Sequence, residues 1–152
     1  MLNKDFKEFA ALLNAHGVEY LIVGGYALMV HGYPRYTGDI DFWVNPAPDN
    51  VRALLEALAQ FGFASVGLSE ADFLKPDAVV KLGYPPARID LMTAIDGVGF
   101  VDAFVQRAMV NVDGLDLSFI SRSDLIKNKS STGRLKDLAD VEALRDAGDG
   151  TS

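Results

Sequence analysis

VGGYALMVHGYPRYTGDIDFWV, residues Val23 to Val44, opens with a glycine pair and closes with two aspartates one residue apart. A desolvated carboxylate is expensive unless something pairs with it, so two of them in an apolar run call for a physical reason. In an extended "DIDFWV", side chains alternate faces with period two. Asp39 and Asp41 then share one face, and Ile40 and Phe42 share the other. Upstream, "EYLIVGG" reads as a short buried strand ending in glycines, and "YALMVHG" as a short helix stopped by Gly32. "YPRYTG" is a loop punctuated by proline and glycine. Two carboxylates on one strand face behind a glycine turn are what a divalent cation serving a nucleotide needs, because Mg2+ takes carboxylate oxygens together with substrate phosphates. Gly24 and Gly25, at the strand-to-helix turn, would let backbone N–H groups approach a phosphate where the helix field also favours an anion.

Working outward, Phe6, Phe9, Leu12 and Leu13 recur at helical spacing before Gly17. "NPAPDN" is a turn into "VRALLEALAQFG", whose Val51, Leu54, Leu55 and Leu58 make one helical face. "VVKLGY" and "ARIDLMT" are expected to be strands around a "YPP" turn, "FVDAFVQRAM" a helix and "LDLSFIS" the last strand. Two helices, over roughly 123–131 and 134–147, finish the chain. Helices mixed with strands that cannot all be hairpins predict an α/β (α+β) fold, a mixed β-sheet flanked by helices. Without repeats or linkers, residues 1–152 are expected to form a single domain.

Composition narrows the function. The 152 residues are 49% hydrophobic and 23% charged, within the range of globular proteins. There is no cysteine, which excludes disulfides and thiolate metal sites. Charges at Lys4, Asp5, Lys7 and Glu8 stand where a signal core would be apolar, and "YLIVGGYALMV" is too short to span a bilayer, so a cytoplasmic protein without a membrane partner is expected. A net charge of −7 argues against general DNA binding, which needs a basic face. One segment runs the other way: Ser121 to Lys136 holds five cations and one anion, Asp124.

The pattern of an apolar residue, Gly-Gly, thirteen residues and Asp-Ile-Asp resembles the signature of the polymerase-beta-like nucleotidyltransferase superfamily. A third acidic residue on a later strand belongs to that signature, and "ARIDLMT" supplies Asp90. "DLIKNKSSTGRLKDLADVEAL" is similar to the C-terminal segment of small prokaryotic nucleotidyltransferases of the minimal and AbiEii-toxin-like groups. The resemblance implies the nucleotidyltransferase fold and two-metal transfer of a nucleoside monophosphate from an NTP, with Mg2+ (or Mn2+) held by Asp39, Asp41 and Asp90. It implies that Lys129 neutralises triphosphate charge, with Arg134 and Arg35 in lesser roles beside Gly24 and Gly25. The acceptor it implies is a protein or RNA hydroxyl, in a toxin–antitoxin or phage-defence setting with a cognate toxin or antitoxin. At 152 residues the chain leaves little room for the extra helical domain with which larger relatives grip an acceptor.

Plainer readings stand beside these. Asp39 and Asp41 can be charges that protect an edge strand, and Asp90 a solvated residue or the partner of Arg88 or Lys81. The glycine pair can be a tight turn, and Lys129 and Arg134 solvated ion pairs with Asp137 and Asp140. His31 reads as a cap or packing residue, and Phe42, Trp43, Phe61 and Phe63 as core. The rival class is a non-catalytic nucleotide-binding or antitoxin-like module of the same fold. Mutually repelling carboxylates favour catalysis, since pure binding has no need of them.

Overall fold

The computed structural model describes residues 2–33, 37–62, 67–84 and 87–149. The chain begins with helix α1 (Lys4–Ala15), whose first turn is closed by Asn3: its side chain accepts from the Phe6 N–H at 2.8 Å. Strand β1 (Tyr20–Val23) runs directly into α2 (Gly24–Val30), so the glycine pair forms the opening turn of that helix. Strand β2 (Ile40–Val44) carries the aspartate pattern, and α3 (Pro48–Phe61) starts inside the expected turn, with Pro48 in the first helical turn where its missing N–H costs nothing. A short helix, α4 (Glu70–Leu74), precedes β3 (Val79–Leu82) and β4 (Ile89–Met92). Then come α5 (Phe100–Val105), β5 (Ala108–Val112), β6 (Leu115–Phe119), α6 (Arg122–Thr132) and α7 (Leu135–Asp149). Among the described residues no helix is long and apolar enough to cross a membrane.

The six strands form one mixed sheet in the order β3-β4-β2-β1-β6-β5. β2 pairs with β1 antiparallel and with β4 parallel, so the aspartate strand lies in the interior of the sheet. That removes the edge-strand reading of Asp39 and Asp41, because β2 has no free edge to protect. β6 joins β1 in parallel and β5 closes the far edge as a hairpin partner of β6. One face of the sheet is covered by α1 and α3: Phe9 meets Phe42 edge-on at 5.4 Å and Phe61 at 5.2 Å, and Tyr20 meets Phe42 at 5.5 Å. On the opposite face Trp43 packs edge-on against Phe100 of α5 at 5.1 Å. Phe42 and Trp43 are core as expected; Phe63 lies outside the described residues.

Two sequence expectations need correction. The helix expected over "FVDAFVQRAM" stops at Val105, and Ala108–Val112 is a strand. The reason is the turn that follows: Asp113 (φ 53°) and Gly114 (φ 87°) both adopt positive φ, the conformation of a tight Asp-Gly hairpin whose twist matches paired strands. Pairing Val112 with Leu115 across that turn commits the preceding residues to the sheet. The second correction is α4, unread because five residues hold too little periodicity; its start is set by the Asp72 carboxylate accepting from the Ser69 N–H at 2.8 Å.

Candidate active site

The site is built where β1, β2 and β4 lie side by side. Val23 is opposite Asp41, and Asp41 is opposite Asp90 in the parallel register. Asp39 sits one step before β2, two residues from Asp41 and therefore on the same side of the chain. Asp39, Asp41 and Asp90 all line one cleft of about 570 Å³, together with Gly24, Gly25, Lys129 and Arg134. The cleft's apolar wall includes Leu28, Met92 and Ile95; α6 and α7 supply the cationic wall. Arg35 falls outside the described residues.

The carboxylates feel one another. Asp41 has its pKa raised from 3.8 to about 7, first by burial, then by the charge of Asp90, by a hydrogen bond with Asp90 and by the charge of Asp39; Arg88 opposes the shift. Asp39 is tied differently: its Oδ1 accepts from the backbone N–H of Arg88 at 2.9 Å. The Arg88 side chain forks onto Asp90, with Nε to Oδ1 at 2.6 Å and Nη2 to Oδ2 at 3.0 Å, and Nη2 lies 3.6 Å from Asp39 Oδ2. The plain reading of Asp90 as the partner of Arg88 therefore holds alongside its place in the cleft.

The glycines contribute space. A Cβ on Gly24 would overlap Asp41 Oδ2, and its φ of +67° disfavours any side chain. A Cβ on Gly25 would come within 2.8 Å of Thr37 Cβ. With α2 only seven residues long, the summed helix field is small, so close backbone approach is the main effect of the pair. Gly24→Ala is expected to cost about 1–3 kcal/mol of stability through backbone strain and to displace the Asp41 carboxylate, taking transfer activity with it. Urea unfolding combined with an activity assay checks this; a variant of unchanged stability and activity would show that the turn tolerates a side chain.

The cationic wall differs from its sequence reading. Lys129 is no solvated cation: its side chain is 12% exposed, and Nζ lies 3.1 Å from both Asp137 Oδ1 and Asp140 Oδ2. Asp137 also accepts from Thr132 Oγ1 at 2.7 Å and from Arg134 Nε at 2.8 Å. Burial pushes the Asp137 pKa up, but the hydrogen bonds of Thr132 and Lys129 and the charges of Lys129 and Arg134 outweigh it and leave it below the usual value. This knot ties α6 to α7. Arg134 is 75% exposed, and its outer nitrogens remain available to the cleft. His31 Nε2 bonds the Ile120 carbonyl at 2.7 Å, the packing role expected of it. Sequence reasoning missed Thr37, Asp96 and Asn128 as lining residues, and gave Arg88 only a passing place as the partner of Asp90.

Residues 2–145 match the family described as "Nucleotidyltransferase of unknown function (DUF6036)". The chain belongs to this family. Two solved structures share the nucleotidyltransferase fold. One, from Thermotoga maritima and provisionally named a nucleotidyltransferase, has a TM-score of 0.60 at 14% identity, over 93% of this chain and 88% of that one. The other, a lincosamide antibiotic adenylyltransferase with lincomycin bound, has a TM-score of 0.56 at 12% identity, over 95% of this chain and 97% of that one. No curated protein matches the sequence. The family is the nucleotidyltransferase one that the sequence resemblance implied, and the fold is the mixed α/β one expected.

The fit of a divalent cation rests on the donor set. Three carboxylates supply the hard oxygens Mg2+ prefers, and the raised Asp41 shows a local excess of negative charge that a cation would relieve. Against this, among the described residues no three acidic or imidazole groups stand in a ready ligating arrangement. The Arg88 fork on Asp90 accounts for part of that: a guanidinium already balances the cluster.

Proposed function

We propose that this nucleotidyltransferase moves a nucleoside monophosphate from an NTP onto an acceptor hydroxyl, using Mg2+ or Mn2+ held by Asp39, Asp41 and Asp90. The observation that carries the reading is the direct opposition of Asp41 and Asp90 on parallel strands, beside Asp39 and facing the same cleft as the glycine turn. When bound, the cation would polarise the α-phosphate and lower the pKa of the attacking hydroxyl. The acceptor oxygen attacks the α-phosphorus as its hydroxyl proton passes to solvent, the bond to the bridging oxygen of the β-phosphate breaks, and pyrophosphate leaves in line. Gly24 and Gly25 let the backbone approach the phosphates, and Arg134 offers an exposed guanidinium for their charge. The three aspartates orient the reacting groups from one face, and the apolar wall of Leu28, Met92 and Ile95 gives the base a place outside water.

The acceptor we propose is a protein or RNA hydroxyl, with a cognate toxin or antitoxin as partner, in line with the C-terminal segment's similarity to small prokaryotic nucleotidyltransferases. The test is incubation with each α-labelled NTP and Mg2+ or Mn2+ in lysate, followed by sizing of the labelled product. Label on a macromolecule from α-labelled but not γ-labelled NTP is expected. Label confined to small molecules would overturn the acceptor class, and no label with any NTP would overturn transfer. A second reading, a non-catalytic nucleotide-binding or antitoxin-like module, draws on one observation: Arg88 and Lys129 are both committed to carboxylates. Saturable NTP binding without transfer would favour it.

A further inference from the structure

The carboxylate cluster has a guanidinium set against it. Arg88 immediately precedes β4, two residues from Asp90, so both side chains leave the chain on the same side. Its guanidinium uses both oxygens of Asp90 and reaches toward Asp39 Oδ2, while its backbone N–H holds Asp39 Oδ1. The Arg88 side chain is 22% exposed and that of Asp90 11%, so the carboxylate is the enclosed partner while the guanidinium keeps contact with solvent. The Ile40 N–H donates to the Arg88 carbonyl at 3.0 Å, which fixes the residue's backbone against the aspartate strand. A fork bound to both oxygens of a carboxylate is the geometry guanidinium favours, and it places a positive charge where a second cation would be repelled.

We propose that Arg88 is an internal counter-ion of the carboxylate cluster, exchanged for the divalent cation when that cation binds. The inference rests on the metal-dependent reading above. The fixed backbone keeps the exchange local: the side chain swings away from Asp90 while the Arg88 N–H still holds Asp39. Arg88 thus sets the cluster's metal affinity. With Arg88 in place a cation must displace a bidentate ion pair before it gains the Asp90 oxygens; without it those oxygens lose their positive partner and repel the neighbouring carboxylates.

The test is calorimetric titration of the nucleotide-free protein with Mn2+, on the wild type, Arg88→Met, Arg88→Lys and Asp41→Asn. Methionine keeps an unbranched apolar stem and removes the charge; lysine keeps the charge and loses the fork. Arg88→Met is expected to bind Mn2+ at least tenfold more tightly than the wild type, with Arg88→Lys between them. Its Tm without metal should fall, and its Tm gain on adding Mn2+ should exceed that of the wild type. Equal or weaker Mn2+ binding by a folded Arg88→Met would overturn the counter-ion exchange while leaving the metal site standing. Mn2+ binding by the wild type that is lost in Asp41→Asn supports the metal site itself. Failure of both the wild type and Arg88→Met to bind Mn2+ would overturn the metal reading and the exchange with it. If Arg88→Met misfolds, Arg88→Lys against the wild type decides: unchanged affinity and unchanged Tm gain would overturn the proposal.

Discussion

Asp41→Asn is expected to make the protein more stable and catalytically silent at once. In the native state burial and the neighbouring carboxylates raise the Asp41 pKa from 3.8 to about 7. The neutral form is favoured in the fold, so between these two values the native state holds a proton that the unfolded chain releases. Stability therefore falls as pH rises from about 4 to about 7 and is level above that. Asparagine does not ionise and its amide can donate to Asp90, so the variant escapes the loss. The two proteins should be equally stable below about pH 4 and diverge toward pH 8, with a ceiling on the order of 4 kcal/mol set by about 1.36 kcal/mol per pKa unit. Urea unfolding of both proteins at a series of pH values measures the gap. Divalent cation should close it from the other side: Mn2+ at 100 times its Kd would stabilise the wild type by about 2.7 kcal/mol and leave Asp41→Asn unmoved. Transfer activity should fall by a factor on the order of 10³ or more, because a neutral amide cannot supply a carboxylate's charge to the site. An Asn variant no more stable at pH 8 than the wild type would mean that the cluster is not strained.

The contrast between what the sequence revealed and what it hid follows from the range of the interactions. The alternation in "DIDFWV" fixed one face for Asp39 and Asp41, and "IDLM" offered a second strand of the same pattern; both are local, and both strands form where expected. Their parallel pairing, with Asp41 opposite Asp90, joins residues 49 positions apart and could be expected only through the family resemblance. The Asp113-Gly114 hairpin was local too, but the apolar residues from Phe100 to Met109 suit a helix as well as a strand, and the turn that decides between them lies beyond that run. Arg88 was misweighted for a different reason. A single arginine before a strand is common, and only the fold shows that its backbone holds Asp39 while its side chain holds Asp90.

Lys129 shows the same limit with the largest consequence for stability. Its sequence context, flanked by Lys127 and followed by Arg134 and Lys136, suggested either a phosphate ligand whose removal spares the fold or a solvated cation of little energy. The structure buries it between Asp137 and Asp140, which are 5% and 2% exposed. Lys129→Ala would remove the cation that two buried carboxylates share, and since Asp137 keeps its bonds from Thr132 and Arg134 the expected cost is about 3 kcal/mol, the low end for breaking a buried pair. For a chain of this size each kcal/mol shifts Tm by about 2–4 °C, so a fall of roughly 10 °C is expected in a thermal melt at pH 7. Acid should narrow the difference. The depressed Asp137 pKa means its ionised form contributes stability above the unfolded value of 3.8, a contribution lost as pH falls through the lower native value. The wild type therefore loses more than the variant below about pH 4, because the variant keeps only the Thr132 and Arg134 contributions to Asp137. Asp140→Asn added to Lys129→Ala should recover part of the loss, since one of the two carboxylates that shared the cation is then neutral. Arg134→Ala is the control: an exposed partner of the same Asp137 should cost no more than about 1 kcal/mol. A Lys129→Ala protein that melts with the wild type yet binds NTP at least tenfold more weakly would assign Lys129 to the triphosphate; one that loses stability first assigns it to the joint between α6 and α7.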